Sequence, residues 1–214
     1  AWYSSSPTGV LAYAAAPPPV ARDLDWFARD GRRLDRLAVP AKCVNVALSP
    51  DGRRAALECR DTESAAPDIW LADLGRGPAI RATTHLANDE SPVWSPDGRS
   101  VAYARHRGIR EEADIHVMDA SAPGAARPLL TADGSSEHVT SWSDQAGAIL
   151  FEQEGNVGRQ DLWLLPLANG SPPRPWLATP ASEHRGVISP DARWVAFESD
   201  RTGRPEIYGR AFDD

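Results

Sequence analysis

The sequence of 214 residues has little that would place it in a membrane or on a nucleic acid. No apolar run approaches the length of about 20 residues that a membrane-spanning helix requires, so we expect this segment itself to make no membrane contact. Acidic residues outnumber basic ones by 30 to 23, and the arginines are scattered among carboxylates. Because nucleic-acid binding needs a basic patch that neutralises phosphates, this charge balance argues against a nucleic-acid partner.

The motifs of two common enzyme classes are also missing. A protein kinase core needs a Gly-rich loop, His-Arg-Asp and Asp-Phe-Gly, and the sequence contains none of them. The Gly-x-Ser-x-Gly turn that carries the nucleophile of serine hydrolases is absent too. We therefore expect a non-catalytic chain with no catalytic residue, no cofactor and no bound metal. The first residue is Ala1 and no targeting leader follows it, so we also expect a piece of a longer protein.

Helical periodicity is scarce, whereas a repeat runs along the chain. A Ser-Pro-Asp-Gly segment, or a degenerate copy of it, recurs at intervals of 46 to 48 residues, with its serines at Ser49, Ser95, Ser143 and Ser189. The third copy lacks both Pro and Gly at the expected positions. A second motif has the same period and comprises Asp68-Ile-Trp70, Asp114-Ile-His116, Asp161-Leu-Trp163 and Glu206-Ile-Tyr208.

Each repeat predicts four short strands. Pro presets a turn, Asp bonds to nearby amides and Gly accepts a positive φ, so Ser-Pro-Asp-Gly predicts a tight reversal between two strands. The strand after the turn is apolar at three consecutive positions, for example Ala55-Ala-Leu57, which is typical of a sheet covered on both faces.

Four strands in about 45 residues predict an all-β propeller. We expect an incomplete ring with a partial blade over residues 8–40, three full blades over 41–86, 87–133 and 134–180, and a second partial blade over 181–214.

The motifs resemble those of the TolB-like β-propeller family over nearly the whole chain. More narrowly, Gly9–Tyr13, Leu24–Gly31 and Leu48–Gly52 resemble the propeller region C-terminal to bacterial serine/threonine protein kinases. That resemblance implies a ring of six or more blades, an extracytoplasmic or periplasmic location, and a role in sensing or binding a protein or small ligand. Two alternatives stay open: the gating propeller of a prolyl-oligopeptidase-type serine peptidase, and a free-standing periplasmic scaffold that docks a lipoprotein.

The two cysteines flank the first Ser-Pro-Asp-Gly turn. If Leu48 faces Arg54 across the hairpin, the antiparallel ladder brings Cys43 opposite Cys59. Directly opposed cysteines are close enough for a disulfide. The pair is therefore either two buried small apolar side chains or a disulfide, and a disulfide would favour an oxidising compartment.

One set of polar residues recurs at equivalent places. Acidic residues stand six positions before the motif serine in three repeats, and an acidic residue or a histidine follows each of them. We expect these pairs to lie in the loops that enter the innermost strands, around one mouth of the central channel, where carboxylates and imidazoles suit a cation or a basic peptide. The alternative is that they are solvated loop residues. The six residues are Asp89, Glu90, Glu137, His138, Glu183 and His184.

Overall fold

The structure is a computed structural model that describes residues 2–5, 11–14, 24–37, 39, 42–60, 66–75, 77–107, 112–131, 134–154, 158–168 and 170–213. The regular structure of these residues is entirely β, and none of them forms a helix long and apolar enough to cross a membrane. The first ten strands are β1 Trp2–Ser5, β2 Leu11–Ala14, β3 Leu24–Phe27, β4 Arg33–Leu37, β5 Lys42–Leu48, β6 Arg54–Arg60, β7 Pro67–Asp73, β8 Ile80–Arg81, β9 Asp89–Trp94 and β10 Ser100–His106. The remaining strands are β11 Ala113–Asp119, β12 Ala126–Leu130, β13 Ser136–Ser143, β14 Ala148–Glu154, β15 Gln160–Pro166, β16 Arg174–Leu177, β17 Glu183–Ile188, β18 Trp194–Ser199 and β19 Glu206–Ala211.

The strands form five sheets, each an antiparallel meander of consecutive strands. The sheets β1–β4, β5–β8, β9–β12 and β13–β16 have four strands each, and β17–β19 has three within the described residues. The first sheet begins before residue 8, where we expected the partial blade to begin, because β1 pairs with β2 over Trp2–Ser5. Residues 6–10 between these strands lie outside the described part of the chain, and their sequence contains Ser6-Pro-Thr-Gly9, a copy of the turn motif with one substitution that we did not include among the repeats.

The sheets are arranged as the blades of a propeller. The first strands of successive sheets, β1, β5, β9, β13 and β17, lie next to one another and are therefore the innermost strands. Each sheet also packs its second strand on the first strand of the sheet that follows. We call the end of the propeller at which the innermost strands begin the mouth end, and the opposite end, with the Ser-Pro-Asp-Gly turns, the turn end.

The motif serine closes each hairpin at the turn end. In the first copy, Ser49 Oγ donates to Asp51 Oδ1 at 2.6 Å, and the Arg54 amide donates to Ser49 Oγ at 2.9 Å. Gly52 has a φ of 68° and its amide donates to Ser49 O. The degenerate copy moves this reversal by one residue, because the Gly147 amide donates to Asp144 O and Gly147 takes the positive φ of 61°. The third repeat therefore has a turn glycine, one position later than expected.

The register of the first hairpin corrects one of our expectations. Leu48 pairs with Ala55, not with Arg54, so the ladder next to the turn is shifted by one residue. A bulge between Cys43 and Asn45 then shifts it back, and Cys43 does pair with Cys59. The structure joins these two cysteines in a disulfide, with both side chains buried.

The second strands β6, β10 and β14 are covered on both faces, as their consecutive apolar residues predicted, whereas β18 leaves Trp194 and Ala196 exposed on one face. Leu57 packs between the first two sheets, together with Leu24 and Trp70. Ala56 faces the other way, into the core that contains Trp94 and Tyr103. Equivalent cores separate the third sheet from the fourth and the fourth from the fifth. The core of the molecule is thus a series of apolar layers between blades rather than one central cluster.

Gly186 sets the spacing between the last two sheets. A Cβ atom at this position would lie 2.6 Å from Leu150 Cδ2 and 3.0 Å from Leu162 Cδ1, both in the buried layer. Overpacking of this kind costs roughly 1–3 kcal/mol. We expect Gly186→Ala to lower the free energy of unfolding by about 2 kcal/mol in urea titrations. Gly209→Ala is the matched control, since its Cβ meets no atom within 4 Å, and a similar loss in both variants would contradict this account.

Candidate functional site

The six predicted site residues lie on the innermost strands themselves, not in the loops before them. Asp89 and Glu90 begin β9, Glu137 and His138 follow the first residue of β13, and Glu183 and His184 begin β17. Adjacent residues of a strand point to opposite faces. The three pairs are therefore divided into two sets with different surroundings, which corrects the expectation of one common rim of loop residues.

Asp89 is an internal anchor. Its side chain is fully buried, and Arg105 Nε and Nη2 donate to its two carboxylate oxygens at 2.7 and 2.8 Å. Arg105 lies on β10, in register with Asp89. The guanidinium also lies over the Tyr103 ring, 5.4 Å from its centroid. Such a bidentate pair ties the first two strands of the blade together, and the complete burial of the Asp89 side chain closes it to a ligand.

Glu137 and Glu183 are buried as completely as Asp89. Glu137 Oε1 accepts hydrogen bonds from Ser135 Oγ and from Gln153 Nε2, and burial raises the pKa of the carboxyl group. Glu183 Oε1 accepts from Thr179 Oγ1 at 2.5 Å, which ties the loop after β16 to β17. All three acids at this position therefore serve inside the blades and are closed to a partner.

The other three residues approach one another through two side chains that the sequence did not single out. His106 Nε2 lies 3.4 Å from Glu90 Oε2, and the His106 and His138 rings meet edge to face with centroids 5.9 Å apart. Glu152 pairs with His138 in the β13–β14 ladder, and Glu152 Oε2 lies 3.9 Å from His184 Nδ1. We call Glu90, His106, His138, Glu152 and His184 the mouth cluster.

The mouth cluster spans three blades and is partly open to solvent. The exposed fraction is 34% for the His184 side chain and 23% for Glu90, but 12% for Glu152. Glu90 and His184 are therefore the members that a partner can reach most easily.

Electrostatics differ among the three histidines and their carboxylates. Burial lowers the pKa of His138, chiefly by removing its charged form from water. The nearby Glu152 carboxylate raises the pKa of His184, and the neighbouring His106 lowers the pKa of Glu90. The cluster thus presents a carboxylate at Glu90, whose pKa is lowered, together with His184, whose raised pKa favours its charged form.

This arrangement suits the recognition of a cationic group. Within the described residues, no group of three or more His, Cys, Asp and Glu side chains is placed to hold a metal ion. Carboxylates and imidazoles at a half-open surface accept hydrogen bonds from ammonium and guanidinium groups. The hydroxyl groups of the motif serines donate to the turn aspartates at the turn end, away from the mouth cluster.

Glu152 could have been found in the sequence. Glutamates stand nine residues after the motif serine in three repeats, as Glu58, Glu152 and Glu198. His106 carries no such signal, because its role depends on where β10 ends. His116, by contrast, packs against Tyr103 in the third-strand position, at a centroid distance of 6.0 Å.

No family model matches this chain. The Tol-Pal system protein TolB of Bordetella pertussis is 28% identical over 149 residues, which are 68% of this chain and 32% of that protein. The chain therefore spans about a third of the length of this curated relative.

Solved structures show the same fold. The crystal structure of TolB from Acinetobacter baumannii matches 96% of this chain and 51% of that chain, with a TM-score of 0.81 and 20% identity. Prolyl oligopeptidase B from Galerina marginata matches 98% of this chain and 33% of that chain, with a TM-score of 0.67 and 11% identity. The fold of the chain is a TolB-like β-propeller, which the solved structures share, and the curated TolB sequence is similar to this chain over about two thirds of its length.

Proposed function

We propose that this chain is a non-catalytic propeller that binds a protein partner at its mouth end, through a segment of that partner rich in Lys or Arg. The observation that carries the proposal is the division of the recurring polar residues. Asp89, Glu137 and Glu183 are closed inside the blades, whereas Glu90 and His184 stay accessible in a cluster that joins three blades. An exposed polar cluster of this kind at the mouth of a channel is typical of a recognition site.

The wider setting is proposed on the same basis. The B. pertussis relative is named as a protein of the Tol-Pal system, and this name is consistent with a protein partner for this chain. The disulfide between Cys43 and Cys59 supports an extracytoplasmic or periplasmic location, because disulfides persist in oxidising compartments. We further propose a larger ring of six blades and, from the sequence resemblance, a parent serine/threonine kinase. The coding sequence on both sides of this chain tests the proposal of a parent kinase. A kinase core encoded upstream would support the proposal, and its absence would refute it.

Binding is tested with a fluorescent arginine decapeptide, measured by anisotropy. We expect saturable binding that Glu90→Gln weakens several-fold, since each lost charge contact contributes roughly 0.5–1.5 kcal/mol. Raising the pH favours loss of a proton from His184, whose pKa is raised, and from Glu58, which lies near Glu90 and whose pKa is raised to about 7. Both losses make the mouth end more negative. We therefore expect tighter binding at pH 8 than at pH 6, and a smaller pH effect in His184→Gln.

Asp119→Asn provides the control at the turn end, where Asp119 bonds to Ser121. It removes the same charge as Glu90→Gln without touching the mouth cluster. Equal weakening by the two substitutions would mean attraction to the net negative charge alone and would contradict a site at the mouth. A glutamate decapeptide should not bind at all.

A second candidate is the gating propeller of a serine peptidase. The match to Galerina marginata prolyl oligopeptidase B over nearly the whole of this chain favours it, although that likeness shows only the fold. The two proposals differ in what lies next to the propeller in the gene. A Gly-x-Ser-x-Gly motif in the neighbouring coding sequence would support the peptidase.

A further inference from the structure

Two innermost strands contain a residue in a conformation that is unfavourable for its side chain. Ser91 on β9 has a φ of 55° and Arg185 on β17 a φ of 51°. Both lie within the bulge of their strand, directly after a member of the mouth cluster: Glu90 precedes Ser91, and His184 precedes Arg185. Left-handed backbone is strained for residues other than glycine and persists only where the surroundings hold it in place.

A glutamate from the preceding blade holds each of these residues. Glu58 Oε2 accepts a hydrogen bond from the Ser91 main-chain amide at 3.1 Å. Glu152 Oε1 likewise accepts from the Arg185 amide. Glu58 and Glu152 occupy the same place in their repeats, nine residues after the motif serine. The contact is therefore a repeated device that reaches from one blade to the next.

The interface between the third and fourth sheets is an internal comparison. Ala104 takes the position of the glutamate there. The bulge that faces it lies between Val139 and Ser141, and neither of these residues nor Thr140 has a positive φ. Across these three interfaces, the left-handed bulge occurs where the glutamate is present and not where alanine replaces it.

We propose that Glu58 and Glu152 are positioning residues that latch the left-handed bulge of the next blade and thereby fix Glu90 and His184 at the mouth. The importance of the latch for binding rests on the proposed function. The structural latch is independent of that function. Glu152 contacts both the bulge and the mouth cluster, since its Oε1 accepts from the Arg185 amide and its Oε2 faces the His184 ring. Arg185 is further held by Glu198, whose Oε2 lies 2.7 Å from Arg185 Nη1.

The Glu58 latch has a distinct electrostatic setting. The pKa of Glu58 is raised to about 7, chiefly by burial and also by the nearby Glu90, against the opposing effect of the Ser91 amide, Arg60 and Asn45. The Ser91 amide proton, which bonds this carboxyl, should report the titration of Glu58 directly. We expect its NMR chemical shift to move with a midpoint near pH 7 in the wild-type protein and to stay constant in Glu58→Gln.

Amide hydrogen exchange tests the latch without any ligand. We expect Glu58→Ala to speed exchange at Ser91 about tenfold, while Glu58→Gln, which keeps an acceptor oxygen, changes it little. Glu152→Ala should act in the same way on Arg185. The Val139 amide is the control in both variants, because its interface has Ala104 in place of the glutamate.

A double substitution distinguishes the loss of the latch contact from a general loss of stability in Glu58→Ala. Glycine adopts a positive φ without strain, so Ser91→Gly should restore more stability in the Glu58→Ala background than it adds to the wild-type protein. Equal effects in the two backgrounds, or unchanged exchange at Ser91 in Glu58→Ala, would overturn the latch. A confirmed latch together with unaltered binding of the arginine decapeptide in Glu58→Ala would refute only its importance for the mouth.

Discussion

Arg105→Ala is expected to lower the free energy of unfolding by roughly 3–5 kcal/mol, the usual cost of leaving a buried charge without its partner. Asp89 is fully buried and receives two hydrogen bonds from this guanidinium. Among the described residues, Arg105 is the cation that pairs with Asp89, so its removal leaves a buried carboxylate without a counter-charge. Urea unfolding followed by tryptophan fluorescence measures the loss, because Trp94 lies in the layer between the second and third sheets.

Two further variants separate the charge effect from lost packing. Asp89→Asn in the Arg105→Ala background removes the stranded charge, so it should recover part of the stability. Arg204→Ala removes an exposed arginine that pairs with Glu206, and it should change nothing measurable. A loss below about 1 kcal/mol in Arg105→Ala would contradict the role of Asp89 as an internal anchor.

The second large effect is expected from the disulfide. Opening Cys43–Cys59, whose cysteines are 16 residues apart in sequence, should cost about 3 kcal/mol by the chain-entropy model. Both cysteines are buried in the layer between the first and second sheets, so the double variant Cys43→Ala/Cys59→Ala also loses some packing. Comparing the oxidised protein, the reduced protein and the double alanine variant in urea separates the cross-link from the packing.

Mass spectrometry after alkylation checks the premise of that comparison. Unfolded protein kept free of reductant should take up no alkyl group, and two groups should appear after reduction. Alkylation of the unreduced protein would show free thiols and would remove both the stability effect and the support that the disulfide gives to an oxidising compartment.

Much of the fold could be predicted because a blade repeats its local chemistry. The turn residues and the apolar second strands are local features, and their common period of about 45 residues predicted the meanders and the layers between them. Register was less accessible. The turn placed Ala55 rather than Arg54 opposite Leu48, and the bulge before Asn45 compensated, so the expected pairing of Cys43 with Cys59 was right although its stated ladder was wrong. Bulges depend on packing between blades, which the sequence pattern does not record.

Only part of the candidate site could be predicted from the sequence. The motif positions predicted recurring polar residues in the loops before the innermost strands, whereas these residues lie at the start of the strands themselves. They did not show that Asp89 would be enclosed by Arg105 or that Glu137 would be enclosed by Gln153, because those partners come from the neighbouring strand. They also missed His106 and Glu152, which join Glu90 to His138 and His138 to His184 in space.

The most direct test of binding at the mouth is a hydrogen-exchange footprint of the arginine decapeptide on the whole chain. The account predicts slower exchange at the mouth end, around Glu90, His138 and His184, and no change in the turns around Asp51 and Asp97. Slower exchange at those turns, or a footprint spread evenly over the acidic surface, would contradict a binding site at the mouth.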